Sequence, residues 1–130
     1  MFEIKRYDKL FASTVMDVIR AEGEEWSCYW SEENAEKYVK ALESSNSYVA
    51  LCDGRICGYS RSLLDSGYIY VFDLLVASEY RGNQLGKKLL ERIAEDYPGL
   101  PVYILSGNDE YYFKQGYSQK GTIFLMPNEN

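Results

Sequence analysis

The sequence predicts an α/β fold with a mixed central sheet, an antiparallel meander joined to a parallel βαβ unit, and helices flanking it. Three observations carry this expectation. Residues 47–76 hold three strand-like runs parted by the turn signals Asp53-Gly54 and Asp65-Ser66-Gly67. Leu85, Leu89, Leu90, Ile93 and Tyr97 then recur at helical spacing, closed by Pro98-Gly99. A short β-type run, Pro101–Leu105, follows. A strand–helix–strand order of this kind makes a right-handed crossover, so the strands at 68–76 and 101–105 should be parallel.

Each element has a local reason. Phe2–Arg6 alternates apolar and polar residues, as a half-buried strand does. Asp8 is a helix cap, and Phe11, Val15, Val18 and Ile19 line one face of a helix over residues 9–22, ended by Gly23. Residues 24–30 read as an aromatic-rich loop. Ser31 can cap a second helix with Glu32 and Glu33 in its first turn, where the helix dipole favours anions. Ala35, Tyr38, Val39 and Leu42 form its apolar face, and it fades at Ser44-Ser45-Asn46. Strands are expected at Ser47–Cys52, Ile56–Leu64 and Tyr68–Val76. The last, a long apolar run, reads as covered on both faces. A helix is expected over 84–97, a short one over Asn108–Gln115, and a final strand within Tyr117–Met126.

The chain has 130 residues, 46% of them hydrophobic and 26% charged, which suits one globular domain spanning 1–130. It has no histidine, so Ser-His-Asp and Cys-His hydrolases and histidine-ligated zinc are excluded. Acid–base chemistry falls to carboxylates, tyrosine, lysine, cysteine, water or backbone. Cys28, Cys52 and Cys57 lack metal spacing and read as small buried thiols in a reducing cytoplasm; no metal is expected. No apolar run is long enough for a signal or a membrane span. The net charge of −6 argues against nucleic acid as a partner. That charge is uneven. Asp17, Glu22, Glu24, Glu25, Glu32, Glu33 and Glu36 against Arg20 leave residues 17–36 at −6, whereas Arg81, Lys87, Lys88 and Arg92 against Glu91 leave residues 81–92 at +3.

The stretch Leu74–Lys88 carries the most chemistry. A strand enters a short loop with two glycines that opens a helix, the arrangement in which free helix N–H groups and close backbone approach hold a pyrophosphate. A Walker loop is ruled out because Lys87-Lys88 follows Gly86 where Lys-Ser/Thr is needed. A dinucleotide fingerprint is ruled out because only Gly82 and Gly86 are present. Val76-Ala77-Ser78-Glu79-Tyr80 followed by Arg81-Gly82-Asn83-Gln84-Leu85-Gly86 instead resembles the acyl-CoA loop of the GNAT superfamily of N-acetyltransferases, Gln/Arg-x-x-Gly-x-Gly/Ala after Val-x-Pro-Glu-Tyr. Gln84 stands where that motif has its inner glycine. Downstream, Tyr112-Phe113-Lys114-Gln115-Gly116-Tyr117 is similar to the family's Tyr-x-Lys-x-Gly-Phe segment, and the element order agrees over nearly the whole chain.

The resemblance implies a GNAT-type acyl-CoA transferase fold and acetyl-CoA as co-substrate. Leu74, Leu75 and Val76 would offer backbone groups to the pantetheine arm. Arg81, Gly82, Asn83, Gln84, Leu85, Gly86 and Lys87 would wrap the pyrophosphate. With Gln84 in the right-handed helical region its N–H would still face phosphate; only a positive φ there would hinder the loop, so weakened rather than lost binding is expected. Asn108 is a candidate pantetheine contact.

Tyr112 matches the family's general acid, which protonates the departing thiolate, with Tyr111 its neighbouring competitor. Asp73, matching a frequent acidic position in the strand, is the candidate base, directly or through water; a structural hydrogen-bond acceptor is the other reading of it. The glutamate some members carry three residues earlier is Tyr70 here. Glu25, Trp26, Tyr29 and Trp30, in the segment that borders the family's acceptor pocket, suit a cationic amine; a plug closing the core is the bland reading. The implied reaction is acetylation of a primary amine, of a small cationic molecule, by direct attack in a ternary complex. A non-catalytic acyl-CoA-binding or regulatory domain is the alternative. A homodimer could form if the strand within 117–126 pairs across a two-fold axis.

Overall fold

Asp53 and Gly54 turn the chain with positive φ angles of 50° and 83°, joining β2 (Asn46–Cys52) to β3 (Arg55–Asp65) as an antiparallel hairpin. The structure, a computed structural model, describes residues 1–128. β1 (Phe2–Arg6) pairs antiparallel with the outer edge of β2, and β4 (Tyr68–Val76) pairs antiparallel with β3. β5 (Val102–Ile104) lies parallel to β4, giving the order β1-β2-β3-β4-β5. The meander and the parallel crossover are both formed as the sequence predicts.

The helices depart from expectation mainly at their starts. Asp8 does cap, taking the Leu10 N–H at 2.8 Å, but a 3-10 turn over Lys9–Phe11 precedes α1 (Ala12–Ala21). The expected loop at 24–30 is instead a 3-10 turn, Glu24–Trp26, running into the one-turn α2 (Ser27–Trp30). Ser31 closes α2 rather than capping the next helix, and its carbonyl accepts the N–H groups of Asn34 and Ala35. Glu32 and Glu33 therefore precede α3 (Ala35–Ser44) instead of lying in its first turn. α4 (Leu85–Asp96) and α5 (Asp109–Lys114) follow the sequence closely.

The sheet separates two cores. On one face Val15, Met16 and Ile19 of α1 and Tyr38 and Leu42 of α3 pack on Val49, Leu51, Tyr59 and Leu75. On the other, Leu85, Leu89, Leu90 and Ile93 of α4 pack on Tyr48, Ala50, Cys57, Ile69 and Val71. β4 is not covered evenly: Tyr68 and Tyr70 keep 43% and 38% of their surface, so the apolar run is open on one face of its first half. A bulge divides the strand. Arg61 faces Asp73 and the next residue, Ser62, faces Val71, leaving Phe72 as an extra residue in β4. Before it, Ile69 and Val71 point to the α4 core. After it the parity reverses, so Leu74 and Val76 join that core while Asp73 and Leu75 turn to the α1/α3 side.

No final strand forms. Residues 117–128 hold neither helix nor strand, and Ile123, Phe124, Leu125 and Met126 are 65–95% exposed. Strand propensity without a neighbouring ladder has nothing to pair with, and β5 is only three residues long. Among the described residues, no helix is long and apolar enough to cross a membrane.

Two predictions follow from the packing of the sheet. A Cβ on Gly58 would lie 2.8 Å from the Leu75 carbonyl oxygen, so Gly58→Ala must prise β3 from β4 and should lower stability by about 1–3 kcal/mol, read by urea unfolding. Asp96 accepts the Tyr48 hydroxyl at 2.6 Å and Arg92 Nε at 3.2 Å, which, with Arg6 nearby, hold its carboxyl below its ordinary 3.8. A depressed folded value contributes stability above the unfolded pKa and loses it as pH falls through the folded one. Asp96→Asn should therefore flatten the acid limb of an unfolding-versus-pH curve below about pH 4.

Candidate active site

The loop after β4 is built from backbone. A 3-10 turn, Ser78–Tyr80, leads to Gly82 at φ 88° and Gln84 at φ 60°, ψ 26°, and α4 starts at once. Asn83 Nδ2 donates to the Tyr80 carbonyl at 2.9 Å and holds the bend. No side chain among the described residues caps α4, so its first-turn N–H groups are open while the positive end of a 12-residue helix faces the loop. Gln84 occupies the left-handed region, which corrects the right-handed alternative. The position does require positive φ, the reason a glycine suits it, and a side chain there costs about 1–2 kcal/mol.

The cationic island is mostly paired. Arg81 Nη2 binds Glu22 Oε1 at 2.6 Å and its Nε donates to the Val76 carbonyl at 3.0 Å, so its side chain turns to α1. Arg92 holds Asp96 and the Ile4 carbonyl, and Lys88 lies 5.6 Å from the Phe2 ring centroid. Lys87 is exposed, with no ion pair among the described residues. The loop's attraction for an anion rests on open backbone and Lys87 rather than on four free cations.

Beside the loop the sheet opens. β5 pairs with β4 only at Ile69, Tyr70 and Val71, and Leu105 N–H to the Val71 carbonyl is the last bond between them. The β4 edge from Phe72 to Val76 faces a gap. Asp73 stands on one side of the sheet and Tyr112 on the other. Asp73 is 4% exposed, and its Oδ2 accepts the Tyr38 hydroxyl at 2.6 Å and Arg61 Nε at 2.7 Å. Tyr38 and Tyr59 hydroxyls meet at 2.8 Å, and Arg61 also reaches Ser45 at 3.2 Å. Asp73 is thus the centre of a satisfied buried network, the structural-acceptor reading of it. Arg61, Tyr38 and Tyr59 escaped the sequence reading; the signal was an arginine isolated in the otherwise uncharged core of β3, opposite an aspartate isolated in β4.

Tyr112 packs on the α4 core, its ring stacked 5.8 Å from Tyr117 and edge-on to Tyr111 at 5.0 Å. Burial pushes its phenol up to about 12. It borders a groove of about 1400 Å³ lined also by Val71, Phe72, Leu90 and Tyr103. Asn108 caps α5, its Oδ1 accepting the Tyr111 N–H at 3.3 Å, so its carbonyl is committed to the helix.

The aromatic segment behaves differently from an open pocket wall. Trp26, Tyr29 and Trp30 pack on the α1/α3 core, Tyr29 lies 4.4 Å from Tyr38, and Trp30 Nε1 donates to the Gly23 carbonyl at 2.9 Å. Burial, with the Asp73 carboxylate nearby, raises the Tyr29 phenol well above its ordinary value. Glu25 is exposed. None of these four residues borders the groove beside Tyr112. Of the cysteines, Cys57 is buried, its thiol pushed up to about 11 by burial, whereas Cys28 is exposed, against the expectation of three buried thiols.

The site is thus an open backbone cradle at a helix start, beside two parallel strands that part. The family model for the acetyltransferase (GNAT) family matches residues 15–116, and the chain belongs to that family. No curated protein sequence matches it. Among solved structures it is similar to a ribosomal-protein-alanine N-acetyltransferase from Brucella melitensis biovar Abortus 2308, at 13% identity over 98% of this chain and 100% of that one, TM-score 0.76. It is also similar to an aminoglycoside acetyltransferase from an uncultured soil metagenomic sample, in complex with sisomicin, at 20% identity over 98% and 97%, TM-score 0.75. A third is aminoglycoside N-acetyltransferase AAC(6')-Iy in complex with CoA, at 10% identity over 100% and 96%, TM-score 0.74. At these identities the likeness is one of fold.

Replacing the strained loop residue tests the geometry. Gln84→Gly removes the left-handed penalty against a smaller glycine entropy cost and should raise stability by about 0.5–1 kcal/mol in thermal unfolding. It should also tighten CoA in a titration; an unchanged midpoint with unchanged affinity would show that Gln84 is unstrained.

Proposed function

We propose that this protein transfers the acetyl group of acetyl-CoA to a primary amine of a small cationic molecule by direct attack in a ternary complex, as a single domain of residues 1–130. One observation carries the reading. The unpaired edge of β4, residues 72–76, runs from the uncapped start of α4 to a point between Asp73 on one face of the sheet and Tyr112 on the other. A thioester threaded along that edge is reached by an amine from the Asp73 side and sheds its sulfur towards Tyr112. The family match over residues 15–116 and the CoA complex of a solved structure with the same fold support the donor.

In this reading the residues divide the work. Backbone N–H groups from Gly82 to Lys87 hold the pyrophosphate. Leu74 and Leu75 bond the pantetheine, and the Val76 carbonyl, already taken by Arg81, contributes less. N–H groups near Leu75 and Val76 hold the negative charge that gathers on the carbonyl oxygen. As the C–N bond forms and the C–S bond breaks, Tyr112 gives its proton to sulfur. Water takes the amine's proton, because Asp73 Oδ2 is committed to Arg61 and Tyr38; Asp73 fixes the polar wall behind it. Glu25, exposed, attracts the cation, and Trp26, Tyr29 and Trp30, packed on the α1/α3 core, back the wall on the Asp73 side that it approaches. Aminoglycoside acetyltransferases are among the solved structures of this fold, which supports a small polyamine-like acceptor. Three free cysteines suit a reducing, cytoplasmic setting.

A second reading, a non-catalytic acyl-CoA-binding or regulatory domain, draws on the pairing of Asp73 with Arg61 and the strain at Gln84. Release of CoA thiol with a panel of polyamines, amino acids and aminoglycosides separates the two. Tyr112→Phe should lower kcat by about a hundredfold or more. With its phenol near 12, wild-type Tyr112 stays protonated through the neutral range and adds no alkaline limb to the kcat profile there. Binding of acetyl-CoA without thiol release from any amine would favour the binding domain.

A further inference from the structure

We propose that Tyr111 is a donor-binding residue whose phenol O–H hydrogen-bonds acetyl-CoA where it passes from the α4 loop to the open edge of β4, an inference that rests on the donor site described above. Its position comes from Gly86. A Cβ on Gly86 would lie 3.0 Å from Tyr111 Oη and 3.7 Å from Leu74 Cδ2. The hydroxyl therefore sits in the notch between the first turn of α4 and the start of the unpaired β4 edge, the two elements the donor must touch in succession.

The phenol is equipped for that contact. Tyr111 Oη makes no hydrogen bond to the described residues and is not among the buried unpartnered polar atoms, so above a half-buried ring the hydroxyl itself is open to a ligand. Burial raises its pKa, so it remains a donor at neutral pH. The ring is held from both sides, edge-on against Tyr112 at 5.0 Å, with its own N–H capped by Asn108 Oδ1. Asn108 acts on the donor through Tyr111 rather than by its own carbonyl. Gly86 is then small for a second reason besides access to backbone: any side chain there meets the Tyr111 hydroxyl.

Calorimetric titration of CoA into wild type, Tyr111→Phe and Tyr112→Phe tests this, with steady-state kinetics alongside. Tyr111→Phe should weaken CoA about tenfold, the loss of one hydrogen bond to a charged or strongly polar group, and the loss should fall on KM for acetyl-CoA rather than on kcat. Tyr112→Phe should show the opposite split. A thermal midpoint for Tyr111→Phe within a degree or two of wild type confirms that packing is intact. Equal CoA affinity in wild type and Tyr111→Phe overturns the inference. So does a fall in kcat with unchanged affinity, which would make Tyr111 the acid. Absence of CoA binding by wild type overturns the donor site itself, and the inference with it.

Discussion

One surplus residue, Phe72, governs this fold. Without it β4 would run in register with β3 throughout, and every side chain beyond Val71 would face the other way. The bulge turns Asp73 to the α1/α3 side, returns Leu74 and Val76 to the α4 core, and coincides with the point where β5 stops following β4. Sheet backbone that loses its neighbour must find other partners. In this chain the freed edge lies against the start of a helix whose own amides are uncapped, so two sets of unsatisfied donors and acceptors adjoin. That adjacency, more than any single side chain, makes the region a place for a long polar ligand.

The charges follow from the same geometry. A carboxylate pointed into a core is tolerated only with partners, and Asp73 has Arg61 at 2.7 Å and Tyr38 at 2.6 Å. Removing Arg61 would strand the buried carboxylate. The basic loop is likewise restrained: Arg81 binds Glu22 at the end of α1 and the carbonyl at the end of β4, bracing the loop against both. The acidic stretch at 17–36 and the basic one at 81–92 are therefore joined by an ion pair, rather than standing as separate poles.

Much of this was legible in the chain. Asp53-Gly54, the Asp8 cap, the period of α4 and the two motifs around Arg81 and Tyr112 are local signals, and local signals survive folding. What escaped depended on tertiary partners. The bulge has no mark in Tyr68–Val76 read alone, since parity changes only against β3. Ser31 became the C-cap of α2 once that turn formed, and Asn34 took the N-cap place of α3 without a side-chain capping bond. Residues 117–126 have strand-like composition but no ladder to join, and propensity alone does not make a strand. Asn108 is polar where a pantetheine contact was expected, yet a helix start claims its carbonyl. Gln84 was the informative mismatch: glycine is expected where φ is positive, and the chain there is at 60°.

The bare run Ile123–Met126 bears on how the protein behaves in bulk. At a distance, molecules with a net charge of −6 repel one another, and that repulsion reaches about 10 Å at a tenth molar salt. At contact, four apolar side chains with 65–95% of their surface free attract over a few ångströms. Added salt shortens the first and leaves the second intact. Rising ionic strength accordingly moves the balance from long-range repulsion towards short-range attraction at this run.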